Sequence, residues 1–166
     1  MCYEGQAQEC GIEMMTTPDS DAVARLRDAG LRPTRQRIVL ARRLFGGPHR
    51  HVTAAALHAE VLREEAGVSL ATVYNTLHQF TKAGLLRELA VDAGPSFFDT
   101  NTTHHQHFFL EDSGRLVDVP GDRVSVSDLP PAPPGTRVSR IDVIIRVTGE
   151  ETEKGAKAAR GAGTLE

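Results

Sequence analysis

Tryptophan is absent from this 166-residue chain, and tyrosine and cysteine occur only twice each. Cys2 and Cys10 both fall in the first ten positions. They cannot staple the body of a fold or build a four-cysteine zinc site. No apolar run approaches the roughly 18 residues of a membrane span. Residues 1–21 lack a basic stretch followed by an apolar one, which argues against an uncleaved signal peptide. No Gly-rich phosphate loop and no nucleophile–base constellation is present. The expectation is therefore a cytoplasmic, non-membrane, non-enzymatic protein. Hydrophobic residues at 40% and charged residues at 25% are ordinary for a globular chain, and the length suits one domain or two small ones.

The net charge of −3 is unevenly distributed. Residues 1–21 hold five acids and no base, whereas residues 22–90 hold eleven Arg or Lys against five Asp or Glu. A basic block inside an acidic chain fits nucleic-acid contact by one lobe.

The pattern of apolar residues predicts four helices in that basic block. Val23, Leu26 and Ala29 form a stripe closed by Gly30. Thr34 caps a second helix carrying Ile38, Val39, Leu44 and Phe45, which Gly46-Gly47-Pro48 stops. Thr53 caps a third helix with Leu57, Val61 and Leu62 buried, ending at Gly67. Ser69 caps a fourth, on which Leu70, Val73, Leu77 and Phe80 form an amphipathic face. Helices three and four make a helix-turn-helix, and residues 85–91 and 96–100 make a two-stranded hairpin, the wing of a winged helix.

Beyond residue 100 the predicted elements are strands, at 105–110, 115–119 and 137–147. The third alternates, with Val138, Ile141, Val143, Ile145 and Val147 mostly on one face. The expected class is α+β: a winged helix-turn-helix domain followed by a small α/β dimerisation domain with a three-stranded sheet. Its segments are a flexible arm at 1–18, the DNA-binding domain at 19–100, the dimerisation and sensing domain at 101–148, and a disordered tail at 149–166. A three-stranded sheet of this size is too small to be stable alone, which predicts a homodimer.

With its apolar face inward, the fourth helix presents Ala71, Thr72, Asn75, His78, Gln79 and Lys82, with Tyr74 at the flank. Small hydrogen-bonding side chains with little charge suit base edges. The arginines around helix two, at 32, 35, 37, 42 and 43, suit phosphate.

Three of the seven histidines fall in His104-His105-Gln106-His107. On a strand, His105 and His107 point to one side and His104 to the other. The pair can share a metal ion or serve haem iron, with Asp99, Glu111 or Asp112 as candidate carboxylates. His49 and His51 are a second source of nitrogen. If the wing packs back on that loop, His51 and Asp99 join His105 and His107.

These segments resemble the ferric uptake regulator (Fur) family. The run from Ser69 to Leu85 is similar to its recognition helix, Leu31-Arg-Pro-Thr-Arg-Gln-Arg37 to its helix-two entry, His51-Val-Thr-Ala54 to its metal-binding loop, and His104-His-Gln-His107 to its histidine-rich strand. The resemblance spans roughly residues 22–119. It implies a dimeric metalloregulator of double-stranded DNA operators, with Fe²⁺, Mn²⁺ or Zn²⁺ at His51, Asp99, His105 and His107. The family usually has Glu where Asp99 stands. Its DNA contacts correspond to Arg32 and Tyr74, with Arg35, Arg37, Thr72 and Asn75 nearby. The structural Cys-x-x-Cys zinc site is missing, since Leu110 and Ser113 stand in its places. A further family site needs an acid where Gln106 stands and a later histidine, and neither is present. These losses resemble the iron response regulator subgroup. That likeness implies control of iron and haem genes, haem at His104, His105 and His107, and a haem donor protein as a partner. Some members carry Gly-Cys-Pro near the N-terminus, whereas this chain has Cys10-Gly11 without the proline. The rival readings are a haem- or metal-binding protein acting through protein contacts and a metal-dependent hydrolase.

Overall fold

The computed structural model describes residues 18–63, 67–91 and 94–149. The arm and tail expected at the two ends, with Cys2 and Cys10, lie outside the described residues apart from positions 18 and 149. The chain divides into two units at Thr102–Thr103.

The first unit runs α1 (Pro18–Asp28), α2 (Arg35–Phe45), β1 (His51–Thr53), α3 (Ala54–Leu62), α4 (Leu70–Lys82), β2 (Arg87–Leu89) and β3 (Phe97–Asp99). Three helices start where a hydroxyl supplies a cap. Thr34, Thr53 and Ser69 accept from the backbone N–H of Arg37, Ala56 and Thr72 at 3.4, 3.2 and 3.2 Å. Helix α4 ends at Gly84, whose φ of +75° lets the Leu85 N–H reach back to the Phe80 carbonyl at 2.9 Å. The core joins Leu26, Leu40, Leu57, Leu77, Phe80 and Phe98, each fully buried.

Three sequence expectations need correction here. Leu62 is 54% exposed and Leu70 40% exposed. Each lies at the end of its helix, where no described element covers the stripe; Thr76 is buried on α4 in addition to Val73, Leu77 and Phe80. The wing is also more than a hairpin. Residues 51–53, expected as a loop whose Thr53 caps the next helix, form a strand, and the sheet has the order β1-β3-β2 with all pairs antiparallel. Strand β3 is central, so Asp99 stands directly across from His51 on one side and Arg87 on the other.

The second unit contains β4 (His105–Leu110), β5 (Arg115–Pro120), a single 3-10 turn (Gly121–Arg123) and β6 (Ile144–Val147). Its sheet has the order β5-β4-β6, with β4 antiparallel to β5 and parallel to β6. No α-helix occurs among its described residues. The third strand is shorter than the sequence suggests. Residues 137–143 are not in a strand and Val138 is 56% exposed. Pairing with β4 begins only at Ile144, opposite His107. Just before it, Gln106 Oε1 accepts from the Val143 N–H at 2.7 Å. Gln106 thus ties the segment before β6 to β4.

Candidate DNA-reading helix and metal-ligand clusters

The helix-turn-helix positions α4 through its buried Val73, Leu77 and Phe80. Its other face leaves Ala71, Tyr74, Asn75 and Gln79 exposed, with Thr72 half-buried. The Thr72 hydroxyl lies 2.9 Å from the Ser69 hydroxyl, which ties it to the cap. His78, expected on the reading face, leans on the wing. Its Nδ1 is 3.4 Å from Glu88 and its ring meets Phe98 edge-on at 5.7 Å.

The arginines separate by role. Arg32 and Arg35 are exposed at the entry to α2. Arg37 is half-buried, and its guanidinium donates to Gln79 Oε1 through Nε and Nη2 and to the Arg32 carbonyl through Nη1. Arg42, expected to grip phosphate, forms an ion pair with Asp19 at 3.1 Å and fastens α2 to α1.

The metal-capable side chains occur in both units. In the first, His51 Nε2 lies 3.7 Å from Asp99 Oδ2, and Asp99 is fully buried. Cross-strand register brings the two side chains to one face of the sheet. Two contacts fix this pair in place. Arg50, beside His51, forms a two-pronged ion pair with Glu60 on α3. The other Asp99 oxygen accepts from the Asn101 N–H at 2.7 Å. His49 does not join them; it is exposed, with Nδ1 3.4 Å from the Thr100 hydroxyl.

In the second unit, His105 and His107 are buried on one face of β4 with their Nε2 atoms 3.0 Å apart. His105 Nδ1 is 2.9 Å from the Thr103 carbonyl. A carbonyl only accepts, so this nitrogen carries the proton, and in the neutral ring Nε2 keeps its lone pair toward His107. Fixing one ring nitrogen on a carbonyl is how proteins orient a metal-binding imidazole. Asp118 completes the cluster, with a carboxylate oxygen 3.7 Å from His105 Nε2. One ligand atom from each of the three lies within 4.8 Å of the others. Nitrogen and carboxylate donors without sulfur suit Fe²⁺, Mn²⁺ or Zn²⁺.

Asp118 was missed by sequence reasoning, although the signal was present. A turn at 111–114 sets Leu110 opposite Arg115, and counting back puts His107 opposite Asp118. Two of the carboxylates proposed instead are engaged elsewhere. Glu111 pairs with Arg146 at 3.2 Å, and Asp112 accepts from the Gly149 N–H. His104 points away from the cluster and is exposed. A Cβ on Gly121 would come within 2.5 Å of the His104 ring, so the imidazole lies against bare backbone.

A winged helix with an exposed polar helix face, together with His and Asp clusters able to hold metal, fits one class: transcriptional regulators that bind DNA and metal. The Ferric uptake regulator family model matches residues 28–129. The peroxide-responsive repressor PerR of Staphylococcus aureus (strain Mu50 / ATCC 700699) is 36% identical over 107 residues, 64% of this chain and 72% of that protein. The ferric uptake regulator from Pseudomonas aeruginosa, solved with manganese, superposes with a TM-score of 0.59 at 23% identity, over 78% of this chain and 98% of that one. The Vibrio cholerae ferric uptake regulator superposes with a TM-score of 0.57 at 22% identity, over 76% and 98%. The two structural likenesses speak for the fold. The chain belongs to the Ferric uptake regulator family. It is a DNA-binding transcriptional regulator of a dimer-forming, metal-binding family, not an enzyme. Among the described residues, no helix is long and apolar enough to cross a membrane.

Proposed function

We propose that this protein is a cytoplasmic homodimeric repressor of iron or haem genes whose operator affinity is set by a ligand at the histidine strand. The observation that carries this reading is the oriented trio His105, His107 and Asp118. His51 and Asp99 are proposed as metal ligands on the family resemblance. Operator contact is assigned to Tyr74, Asn75 and Thr72 on α4 and to Arg32 and Arg35 at the entry to α2, with Arg37 behind them. The domain limits stay as read from the sequence, with DNA binding at 19–100 and dimerisation and sensing at 101–148. A row of apolar side chains across the second sheet, Val117, Phe108 and Ile145, supports dimerisation, because Phe108 and Val117 are exposed within a single chain.

The ligand reading favours a small ion over haem at this cluster. Two buried imidazoles whose Nε2 atoms are 3.0 Å apart converge on a point and leave no flat face for a macrocycle. Haem, delivered by a donor protein, would meet the exposed His104 first. A second reading is control by peroxide. Two histidines and one carboxylate are the donor set of non-haem Fe²⁺ sites that react with oxygen species, and the Staphylococcus aureus relative is a peroxide-responsive repressor.

The test is operator binding by fluorescence anisotropy with Fe²⁺, Mn²⁺, Zn²⁺ or haem added in turn, and with peroxide added to the Fe²⁺ form. Metal should strengthen binding by the wild type and leave the His105→Ala/His107→Ala double variant unchanged. A double variant that responds like the wild type would remove the cluster from the sensing role. Haem responsiveness retained in that variant and lost in His104→Ala would move haem to His104.

A further inference from the structure

Among the cavities, charged clusters and apolar faces of both units, the contact between the entry of α2 and the reading face of α4 carries the most. Arg37 donates to Gln79 Oε1 from Nε at 3.2 Å and from Nη2 at 2.7 Å, and to the Arg32 carbonyl from Nη1 at 2.8 Å. A guanidinium has donors only, so the chemistry decides which end of the Gln79 amide faces it: the carbonyl oxygen. Both lone pairs of that oxygen are then taken, and the NH₂ group is turned away from Arg37. Gln79 is exposed and lies one helical turn beyond Asn75 on the same face.

We infer that Arg37 is a positioning residue that makes Gln79 a donor-only reader, which favours a guanine edge with its two acceptors over an adenine edge with one acceptor beside a donor. An unconstrained glutamine reads adenine with both ends of its amide, accepting from N6 and donating to N7. With its oxygen held by Arg37, Gln79 cannot accept from N6. Guanine offers two acceptors, N7 and O6, to an NH₂ group. The same guanidinium anchors the Arg32 backbone, so the loop carrying Arg32 and the helix carrying Gln79 stay in fixed register. Arg37 thus acts on sequence preference and leaves the phosphate grip to Arg32 and Arg35. The inference rests on the assignment of α4 as the operator reader.

The test begins with duplexes that the full-length wild type enriches from a randomised pool in the presence of Mn²⁺. Each guanine of the enriched site is then replaced by adenine, and the affinity ratio is measured by anisotropy across a salt series. At one position the Arg37→Lys variant, which keeps the charge and loses the fork, should lower the ratio about tenfold. Its salt dependence should match that of the wild type, because the charge is kept. Gln79→Leu should lose the same discrimination, and adding Arg37→Lys to it should cost nothing more. Gln79→Glu keeps the oxygen toward Arg37 and removes the donor, so it too should lose the preference; it decides the matter if Arg37→Lys does not fold. An unchanged ratio in Arg37→Lys would overturn the inference, and a salt slope reduced by about 0.9 in Arg37→Ala would then make Arg37 a phosphate contact. Full discrimination in Gln79→Glu, or a wild type indifferent to adenine at every position, would overturn it too. If Tyr74→Ala and Asn75→Ala also leave all discrimination intact, the failure lies in the assignment of α4 itself.

Discussion

Leu70 and Leu77 occupy equivalent places in the apolar period of the reading helix, yet truncating them should have very different consequences. Leu77 is fully buried in the core of the first unit, alongside Val73 and Phe80. Leu77→Ala removes its transfer energy and leaves a cavity that close-packed neighbours fill only in part, a cost of about 2–5 kcal/mol. For a unit of this size each kcal/mol lowers the midpoint by roughly 4–8 °C, so a mid-range ~3 kcal/mol corresponds to a fall of roughly 12–24 °C. Leu70 is already 40% exposed, and its truncation opens to solvent instead of enclosing a void. Alanine is also the better helix former there. Leu70→Ala should therefore cost about 1 kcal/mol or less. Thermal unfolding followed by circular dichroism measures the midpoints. A urea series checks that the slope with denaturant is unchanged, so that both variants report on the same two states. Equal losses at the two positions, or a larger loss at 70, would show that α4 buries a different stripe and would undo the assignment of its reading face.

Three further outcomes are expected. Asp118→Ala should lower Mn²⁺ affinity by isothermal titration; binding equal to wild type would exclude Asp118 as a ligand. Tyr74→Ala should cost about 1–3 kcal/mol of discrimination between operator and unrelated DNA, whereas Arg35→Ala should weaken both equally and reduce the salt slope by about 0.9; the same pattern in both variants would contradict the division of roles. Gly121→Ala should cost about 1–3 kcal/mol, because the new Cβ would meet the His104 ring and its carbonyl; an unchanged unfolding profile would show that this strand end yields freely.

The helices were legible in the sequence because their causes are local. A capping hydroxyl, an apolar period and a closing glycine act within a few residues of one another, and Thr34, Thr53, Ser69 and Gly84 do what those rules require. The β4–β5 hairpin was legible for the same reason, and its register contained Asp118 for anyone who counted across the turn. The histidine run also showed, from its i, i+2 spacing, that His105 and His107 share a strand face.

What tertiary structure decided were contacts between residues far apart in the chain. Nothing local marks residues 51–53 as a strand; they become one because β3 needs a second neighbour, and that pairing sets His51 against Asp99. The exposure of Leu62 and Leu70 depends on which neighbours end before reaching them, a property of packing that no period contains. The third strand begins at Ile144 because its register with β4 starts there, opposite His107. The guanidinium of Arg37 found Gln79 across two helices, a contact that residue types permit but only the packing of α2 against its neighbours selects. Propensity acts through the chain and is written along it. Register, coverage and side-chain partnership act through space, and they exist only once the chain has closed on itself.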